Sequence, residues 1–179
     1  MGGPKALVEL DGEALVLRAV RVLVDGGCAP VLVVLGAAAD EVGALLPAGV
    51  RPVVAADWAD GMGASLRAGL AELAGTGADA AVVHLVDLPG VTAAAVTRLA
   101  TAAGADALAR AAYDGRPGHP VLLGREHWAA VAEGATGDAG ARGYLAGNPA
   151  VRLVECGDIA APDDVDTPEQ LARAQSWTT

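Results

Sequence analysis

The sequence predicts an α/β protein in which helices cover both faces of a mostly parallel sheet. Short Val-rich apolar runs, typical of strands buried on both faces, alternate with segments whose apolar residues recur at helical spacing. No internal repeat, linker or low-complexity segment interrupts this alternation. Because ligands of such sheets bind beyond the carboxyl ends of the strands, polar residues that directly follow a strand are the first candidates for function.

The first half of the chain shows the alternation clearly. Leu15, Ala19 and Val22 share one face of a helix predicted over residues 13–25, which ends at two glycines. The other predicted elements of this half are strands over residues 29–36 and 50–56, a short helix over 38–46, and a helix that carries Leu66, Leu70 and Leu73.

The second half begins with an apolar strand predicted over residues 79–90. Thr92 is expected to cap the helix that follows over residues 93–103. Thr167, Pro168 and Gln170 form a capping-box pattern and predict another helix start. The remaining predicted elements are strands over residues 104–115 and 151–156 and short helices over 125–132 and 138–147.

Composition predicts one globular domain over residues 1–179, since 53% of the residues are hydrophobic and 19% are charged. The formal net charge of −10 argues against nucleic acid or a membrane surface as a partner, because both attract a basic face. Cys28 and Cys156 are predicted to be free thiols in a reducing cytoplasm. No apolar run reaches the length of a membrane helix.

Two groups of carboxylates are candidate metal ligands. Asp87 directly follows an apolar strand, where a metal and a phosphate could meet, although it could equally cap the next turn. Asp163, Asp164 and Asp166 are close enough to repel one another unless a cation such as Mg²⁺ neutralises them. The alternative for this group is a solvated acidic loop before a helix.

Three further stretches invite a functional interpretation. Gly61 and Gly63 precede a helix and allow an anion or a base to approach the backbone. His119 is expected on a loop, held between Gly118 and Pro120, where a binding role and a structural one are equally open. Asp138 and Arg142 are four residues apart, so the simplest interpretation is an ion pair along one helix.

These stretches, taken in order with the opening Met1–Leu7, resemble the molybdenum-cofactor cytidylyltransferases, within the molybdenum-cofactor guanylyltransferase-like NTP transferases. The resemblance spans nearly the whole chain and implies a Rossmann-like three-layer nucleotidyltransferase fold. It rests on Met-Gly-Gly-Pro-Lys at the start, Trp58 with Gly61, Met62 and Ser65, Asp87 with Pro89, Gly118-His119-Pro120, residues 137–142, and residues 164–171.

The resemblance also implies a reaction and a set of roles. CMP would pass from CTP to a molybdopterin cofactor with release of pyrophosphate, in the presence of Mg²⁺, and a partner protein would receive the product. Lys5 and Asp87 would be catalytic, and Asp87 and Asp166 would hold the metal. The nucleotide would be bound by Gly2, Gly3, Lys5, Gly61, Met62 and Ser65, and the second substrate by His119, Asp138 and Arg142.

The sequence departs from the family pattern in two places. Ala55-Ala56 stands where relatives often have Asn shortly before the Trp. The first strand and its Leu-Ala-Ala-Gly loop are also absent before Met1, so we expect that the given sequence starts at an internal Met. Two alternatives stay open. One is a shortened, non-catalytic paralogue that binds a partner or recruits a strand from it. The other is guanylyl or sugar-phosphate nucleotidyl transfer.

Overall fold

Alternating strands and helices organise residues 3–174, the part of the chain that this computed structural model describes. The strands are β1 (Glu9–Leu10), β2 (Glu13–Ala14), β3 (Leu32–Leu35), β4 (Arg51–Val54), β5 (Ala80–Val83), β6 (Leu108–Tyr113), β7 (Arg116–Gly124) and β8 (Arg152–Glu155). The helices are α1 (Leu15–Asp25), α2 (Ala39–Leu45), α3 (Met62–Ala74), α4 (Ala93–Ala100), α5 (Trp128–Gly134), α6 (Arg142–Leu145) and α7 (Pro168–Ala174).

The α/β class is confirmed: besides a short antiparallel pair of β1 and β2, the strands form two sheets that flank the site. β3 and β4 pair in parallel, while the second sheet has the order β5-β7-β6-β8. In that sheet β6 and β8 are parallel, but β7 is antiparallel to both of its neighbours. The second sheet is therefore mixed, whereas the sequence predicted a mostly parallel arrangement.

The sequence-based prediction placed His119 on a loop, and this prediction is wrong. His119 lies within strand β7. Asp114 and Gly115 both have positive φ, 51° and 74°, and form the tight turn that joins β6 to β7. The sequence did not predict this strand because it contains Pro117 and Pro120. Proline donates no ladder hydrogen bond and is therefore uncommon in interior strands.

Helix termini follow the sequence more closely. Thr92 Oγ1 accepts a hydrogen bond from the Ala95 N–H at 3.2 Å, so the predicted N-cap is confirmed. The capping box at α7 is confirmed as well: the Gln170 N–H donates to Thr167 Oγ1 at 3.2 Å, and Gln170 Oε1 accepts from the Thr167 N–H at 2.8 Å.

The two sheets leave a wide gap between the edges of β3 and β5, here called the inter-sheet cleft. Its volume is about 540 Å³, and its lining comes mainly from β3, β5, α1 and α3. Among the described residues β3 pairs only with β4, and β5 pairs only with β7. Of the strand predicted over residues 79–90, only Ala80–Val83 forms a strand, where it pairs with β7.

The apolar cores lie on either side of the sheets. The largest cluster packs α3, α5 and α6 against the second sheet through Leu70, Leu123, Trp128 and Val131. Cys28 and Cys156 are both free thiols, as predicted. No helix within residues 3–174 is both long enough and apolar enough to cross a lipid bilayer.

The backbone packs so closely at the end of β7 that Gly124 has no room for a side chain. A Cβ at this position would lie 2.4 Å from the Ala105 carbonyl oxygen and 2.6 Å from the Ala107 nitrogen, both backbone atoms that cannot simply rotate away. We expect Gly124→Ala to lower the free energy of unfolding by about 1–3 kcal/mol in urea denaturation. Gly143→Ala is the matched control, because a Cβ there meets open space. Equal stability of the two variants would contradict this packing.

Candidate active site

Lys5 lies at the centre of a cluster of charged side chains. Its Nζ donates to Asp87 Oδ2 at 2.8 Å and also contacts Asp166 Oδ1. The two carboxylates are 82 and 161 residues away from Lys5 along the chain. The fold thus brings together the three residues that the sequence singled out for phosphate and metal chemistry.

Backbone contacts hold the two carboxylates side by side. Asp87 follows β5, and its carbonyl oxygen accepts a hydrogen bond from the Val165 N–H at 2.9 Å. Val165 itself is fully buried against Leu10 and Leu15. Gln170 Oε1 accepts from the Asp166 N–H at 2.8 Å, so the capping box of α7 also orients the loop that carries Asp166.

Lys5 and Asp166 each stabilise the charged form of the other. Partial burial works to lower the pKa of Lys5, but hydrogen bonds to Asp166 and Asp87 outweigh it, and that pKa is raised. The hydrogen bond from Lys5 is also the main reason why the pKa of Asp166 lies below its usual range. Near neutral pH the cluster therefore contains an ammonium and an ionised Asp166.

The donor set suits a metal that needs few protein ligands. Within residues 3–174 no group of three or more His, Cys, Asp or Glu side chains is arranged to enclose a metal ion. Asp87 and Asp166 nevertheless share one cationic partner and could share another. Mg²⁺ is typically held by one or two carboxylates, with water and substrate phosphates as its other ligands, so these residues fit such an ion.

The glycine-rich turn before α3 packs against a second loop. Gly61 has a φ of 107°, and a Cβ on it would lie 2.6 Å from the Gly137 carbonyl carbon. The Met62 N–H at the helix start faces Asp138 Oδ1 at 3.4 Å. A carboxylate is favourable at this end of a helix, and here it links Gly61 and Met62 to Asp138. Ser65 lies one turn further along α3 and lines the inter-sheet cleft.

The predicted helical ion pair between Asp138 and Arg142 is wrong. Asp138 belongs to a short 3₁₀ turn, Gly137–Ala139, whereas Arg142 begins α6. Gly140 lies between them with a φ of 52°, which no helix residue adopts, so the two side chains do not share a helix face. Arg142 instead lines the inter-sheet cleft.

Sequence reasoning missed two ionisable residues at the same cleft, His84 and Arg110. Together with His119 and Arg142 they are the ionisable side chains among the described residues that line it, and all four are basic types in an acidic chain. The available signal was a lone ionisable residue within an apolar strand segment, in Val-Val-His-Leu-Val and in Leu-Ala-Arg-Ala-Ala.

Burial governs the protonation of these basic groups. Desolvation lowers the pKa of His84 to about 4, with the nearby His119 adding to the shift and Asp87 opposing it. Burial also lowers the pKa of His119 and that of Arg110. The Nδ1 atoms of His84 and His119 are both buried without a hydrogen-bond partner among the described residues.

Of the two N-terminal glycines in the predicted nucleotide site, the described residues include Gly3 but not Gly2. A Cβ on Gly3 would meet open space. Lys5 begins the short 3₁₀ turn Lys5–Leu7, in which the Leu7 N–H donates to the Pro4 carbonyl oxygen at 3.0 Å. That turn packs Ala6 and Leu7 into the core and so anchors the base of the Lys5 side chain.

Comparison with known proteins identifies the class of this molecule. The model of the MobA-like NTP transferase domain matches residues 1–154. The chain therefore belongs to the MobA-like NTP transferase family, and it is a nucleotidyltransferase with the fold that the motifs implied.

Two relatives, one of them seen in two crystal structures, place the chain more closely. It is 40% identical over 182 residues to nicotine blue oxidoreductase from Paenarthrobacter nicotinovorans, a match that covers 96% of this chain and 87% of that protein. The crystal structure of Rv0371c from Mycobacterium tuberculosis superposes with a TM-score of 0.82 at 27% identity, covering 98% of this chain and 90% of the other. Its complex with manganese gives a TM-score of 0.80 at 25% identity, with coverages of 97% and 91%.

His84 gives the site a measurable pH signature. In an unfolded chain a histidine has a pKa near 6.5, whereas the folded protein resists protonation of His84 until about pH 4. Since the unfolded state binds the extra proton, the free energy of unfolding falls as the pH drops through that window, by up to about 1.4 kcal/mol per pH unit. The pH dependence should be shallower in His84→Gln. NMR titration of the imidazole checks the cause directly, and a His84 midpoint of 6 or above would contradict it.

Proposed function

We propose that this nucleotidyltransferase transfers CMP from CTP to a phosphate-bearing acceptor, a molybdopterin cofactor, with release of pyrophosphate. The observation that carries the proposal is the cluster in which Lys5 contacts both Asp87 and Asp166. It joins the cation that a triphosphate needs to the carboxylates that a divalent metal needs. The choice of CTP and of a pterin phosphate rests on the motif resemblance.

Positioning and charge neutralisation are the main demands of this chemistry. Lys5 would neutralise charge on the nucleotide phosphates, and Asp87 and Asp166 would hold Mg²⁺. The manganese complex of Rv0371c supports a divalent ion in this family. A bound ion supplies Lewis-acid polarisation of the α-phosphate and screens the approach of a second anion.

Lys5 also has a task before substrate arrives. Its ammonium compensates the charge of two neighbouring carboxylates without a metal, and its hydrogen bond lowers the pKa of Asp166. When a triphosphate binds with its metal ion, the phosphates can replace the carboxylates as partners of Lys5, and the metal can replace Lys5 as the partner of the carboxylates. We therefore propose that Lys5 exchanges carboxylate contacts for phosphate contacts when the nucleotide binds.

The glycine-rich turns would form the rest of the nucleotide site. Gly2 and Gly3 precede Lys5, while Gly61, Met62 and Ser65 lie at the start of α3. Asp138 would position this turn, because its carboxylate faces the Met62 N–H and its loop touches Gly61. This role is closer to the nucleotide than the one that the motif resemblance implied for Asp138.

The acceptor would bind in the basic part of the inter-sheet cleft. Arg110, His119 and Arg142 all line this cleft, and no carboxylate does so among the residues described. In a chain with a net charge of −10, this segregation favours an anionic acceptor over a neutral one. Arg110 hydrogen-bonds only the Gly118 carbonyl oxygen, at 3.3 Å, in the structure as described, so its charge is available to a phosphate.

The domain extent, the location, the partner protein and the alternative activities are proposals as well. The chain would act as one domain over residues 1–179 in the cytoplasm, and a partner protein would take up the modified cofactor. Guanylyl transfer or a sugar-phosphate acceptor would use the same charged cluster. A shortened paralogue without catalysis would keep the fold but bind no nucleotide.

A second candidate activity comes from the relative at 40% identity, which bears the name nicotine blue oxidoreductase. An apolar cleft with basic groups at its lining could accept a flat pigment as well as a pterin. Bleaching of nicotine blue by the purified protein with a reduced nicotinamide donor, in the absence of any NTP, would favour this candidate over nucleotidyl transfer.

Pyrophosphate release measured across the four NTPs, with molybdopterin and Mg²⁺ or Mn²⁺, tests the main proposal. We expect turnover with CTP, and a fall of at least about 100-fold in Asp87→Asn, because loss of one ligand charge removes several kcal/mol of stabilisation. Asp158→Asn is the control, since that exposed carboxylate also pairs with a cation, Arg98. Near-normal turnover in Asp87→Asn would exclude the assigned role.

Arg110 and Arg142 separate acceptor binding from nucleotide binding. Replacing either with Gln should raise the KM for the acceptor by roughly 10- to 100-fold, the value of one charged hydrogen bond, and leave the KM for the nucleotide unchanged. Arg152→Gln on the exposed strand β8 controls for loss of positive charge alone. An equal rise in both KM values would place these arginines at the nucleotide instead.

A further inference from the structure

Arg67 of α3 extends its guanidinium to two loops that are distant from each other in sequence. Its Nη2 donates to Asp57 Oδ2 at 3.0 Å, and its Nη1 donates to the Ala135 carbonyl oxygen. Asp57 lies in the loop after β4, and Ala135 directly follows α5. A planar guanidinium can donate in two fixed directions at once, whereas the ammonium of a lysine is a point charge, so this position suits arginine.

The first of these loops leads into Gly61, the residue just before α3. Asp57 directly precedes the 3₁₀ turn Trp58–Asp60, and the Gly61 N–H donates to the Trp58 carbonyl oxygen at 3.1 Å. The segment that enters the glycine-rich turn is therefore tied at its start to Arg67.

The second loop, residues 135–138, is here called the Asp138 loop, and it packs directly on the backbone of α3. A Cβ on Gly63 would lie 2.8 Å from the Ala135 carbonyl oxygen and 2.9 Å from the Thr136 nitrogen. The Ala135 side chain is fully buried. Since Arg67 donates to that same carbonyl oxygen, its guanidinium fastens the start of the Asp138 loop to α3.

We propose that Arg67 is a positioning residue for the nucleotide. By holding the Asp138 loop against α3, it keeps the Asp138 carboxylate opposite the Met62 N–H, which lies 3.4 Å away, and so fixes the turn at Gly61 and Met62. Arg67 acts through this loop and does not itself touch the substrate. The effect on the nucleotide rests on the proposed function, whereas the effect on the Met62 N–H follows from these contacts alone.

Steady-state kinetics of pyrophosphate release separate positioning from general stability. Arg67→Gln should raise the KM for the nucleotide by roughly 10-fold, the value of one charged hydrogen bond, and leave the KM for the acceptor unchanged. Arg51→Gln is the matched control, because Arg51 of β4 also pairs with a carboxylate, that of Glu72 on α3 at 4.0 Å. An unchanged nucleotide KM in Arg67→Gln, or an equal rise in both KM values, would overturn the proposal.

A double-mutant cycle tests whether Arg67 acts through Asp138. If it does, the nucleotide KM of the double variant Arg67→Gln, Asp138→Ala should equal that of Asp138→Ala alone. Multiplication of the two single effects would overturn this route. Arg67→Lys keeps the charge but cannot donate in both directions, so it should also raise the nucleotide KM, and wild-type kinetics in this variant would contradict a role for the guanidinium.

The amide NMR resonance of Met62 reports on positioning without any activity. Arg67→Gln should shift this resonance toward its position in Asp138→Ala, whereas Arg51→Gln should leave it in place. NTP binding is measured separately by calorimetry. A shifted resonance in a protein that binds no NTP would reject the proposed function and support the effect of Arg67 on the turn. NTP binding together with an unmoved Met62 resonance would support the proposed function and overturn the positioning role.

Discussion

The contact of Lys5 with both Asp87 and Asp166 is the interaction on which the rest of the site depends. It connects the first turn of the described chain, the loop after β5 and the loop before α7, which are far apart in sequence. The hydrogen bond from Val165 to the Asp87 carbonyl fixes the two acidic loops to each other. The Lys5 ammonium compensates the two carboxylates, and the proposed function gives it a triphosphate and a divalent ion as replacement partners.

The inter-sheet cleft imposes the complementary constraint. Open strand edges are costly when buried and prone to pairing when exposed, because each unpaired peptide group loses a hydrogen bond. In this chain such edges lie beneath the turn that carries Lys5, and the basic residues Arg110, His119 and Arg142 line the same space. Filling the cleft would therefore affect both the stability of the sheet and the space in which the acceptor is proposed to bind.

Membership in the MobA-like family and likeness to an oxidoreductase fit one physical picture. An αβ scaffold with a charged cluster at the strand ends and an apolar, basic cleft beside it can hold a nucleotide or a flat anionic molecule. What distinguishes these uses is whether Lys5, Asp87 and Asp166 engage a triphosphate.

The sequence by itself determined the α/β class, the caps at Thr92 and Thr167, and the candidates Lys5, Asp87 and Asp166, because these depend on local propensity and on short motifs. Only the tertiary structure decided that residues 116–124 form a strand, that Asp138 and Arg142 lie on separate elements, and that His84 and Arg110 line the cleft. These features arise from contacts between residues distant along the chain. Residues 116–124 pair with β5 as well as with β6 although they contain two prolines, and burial lowers the pKa of His84.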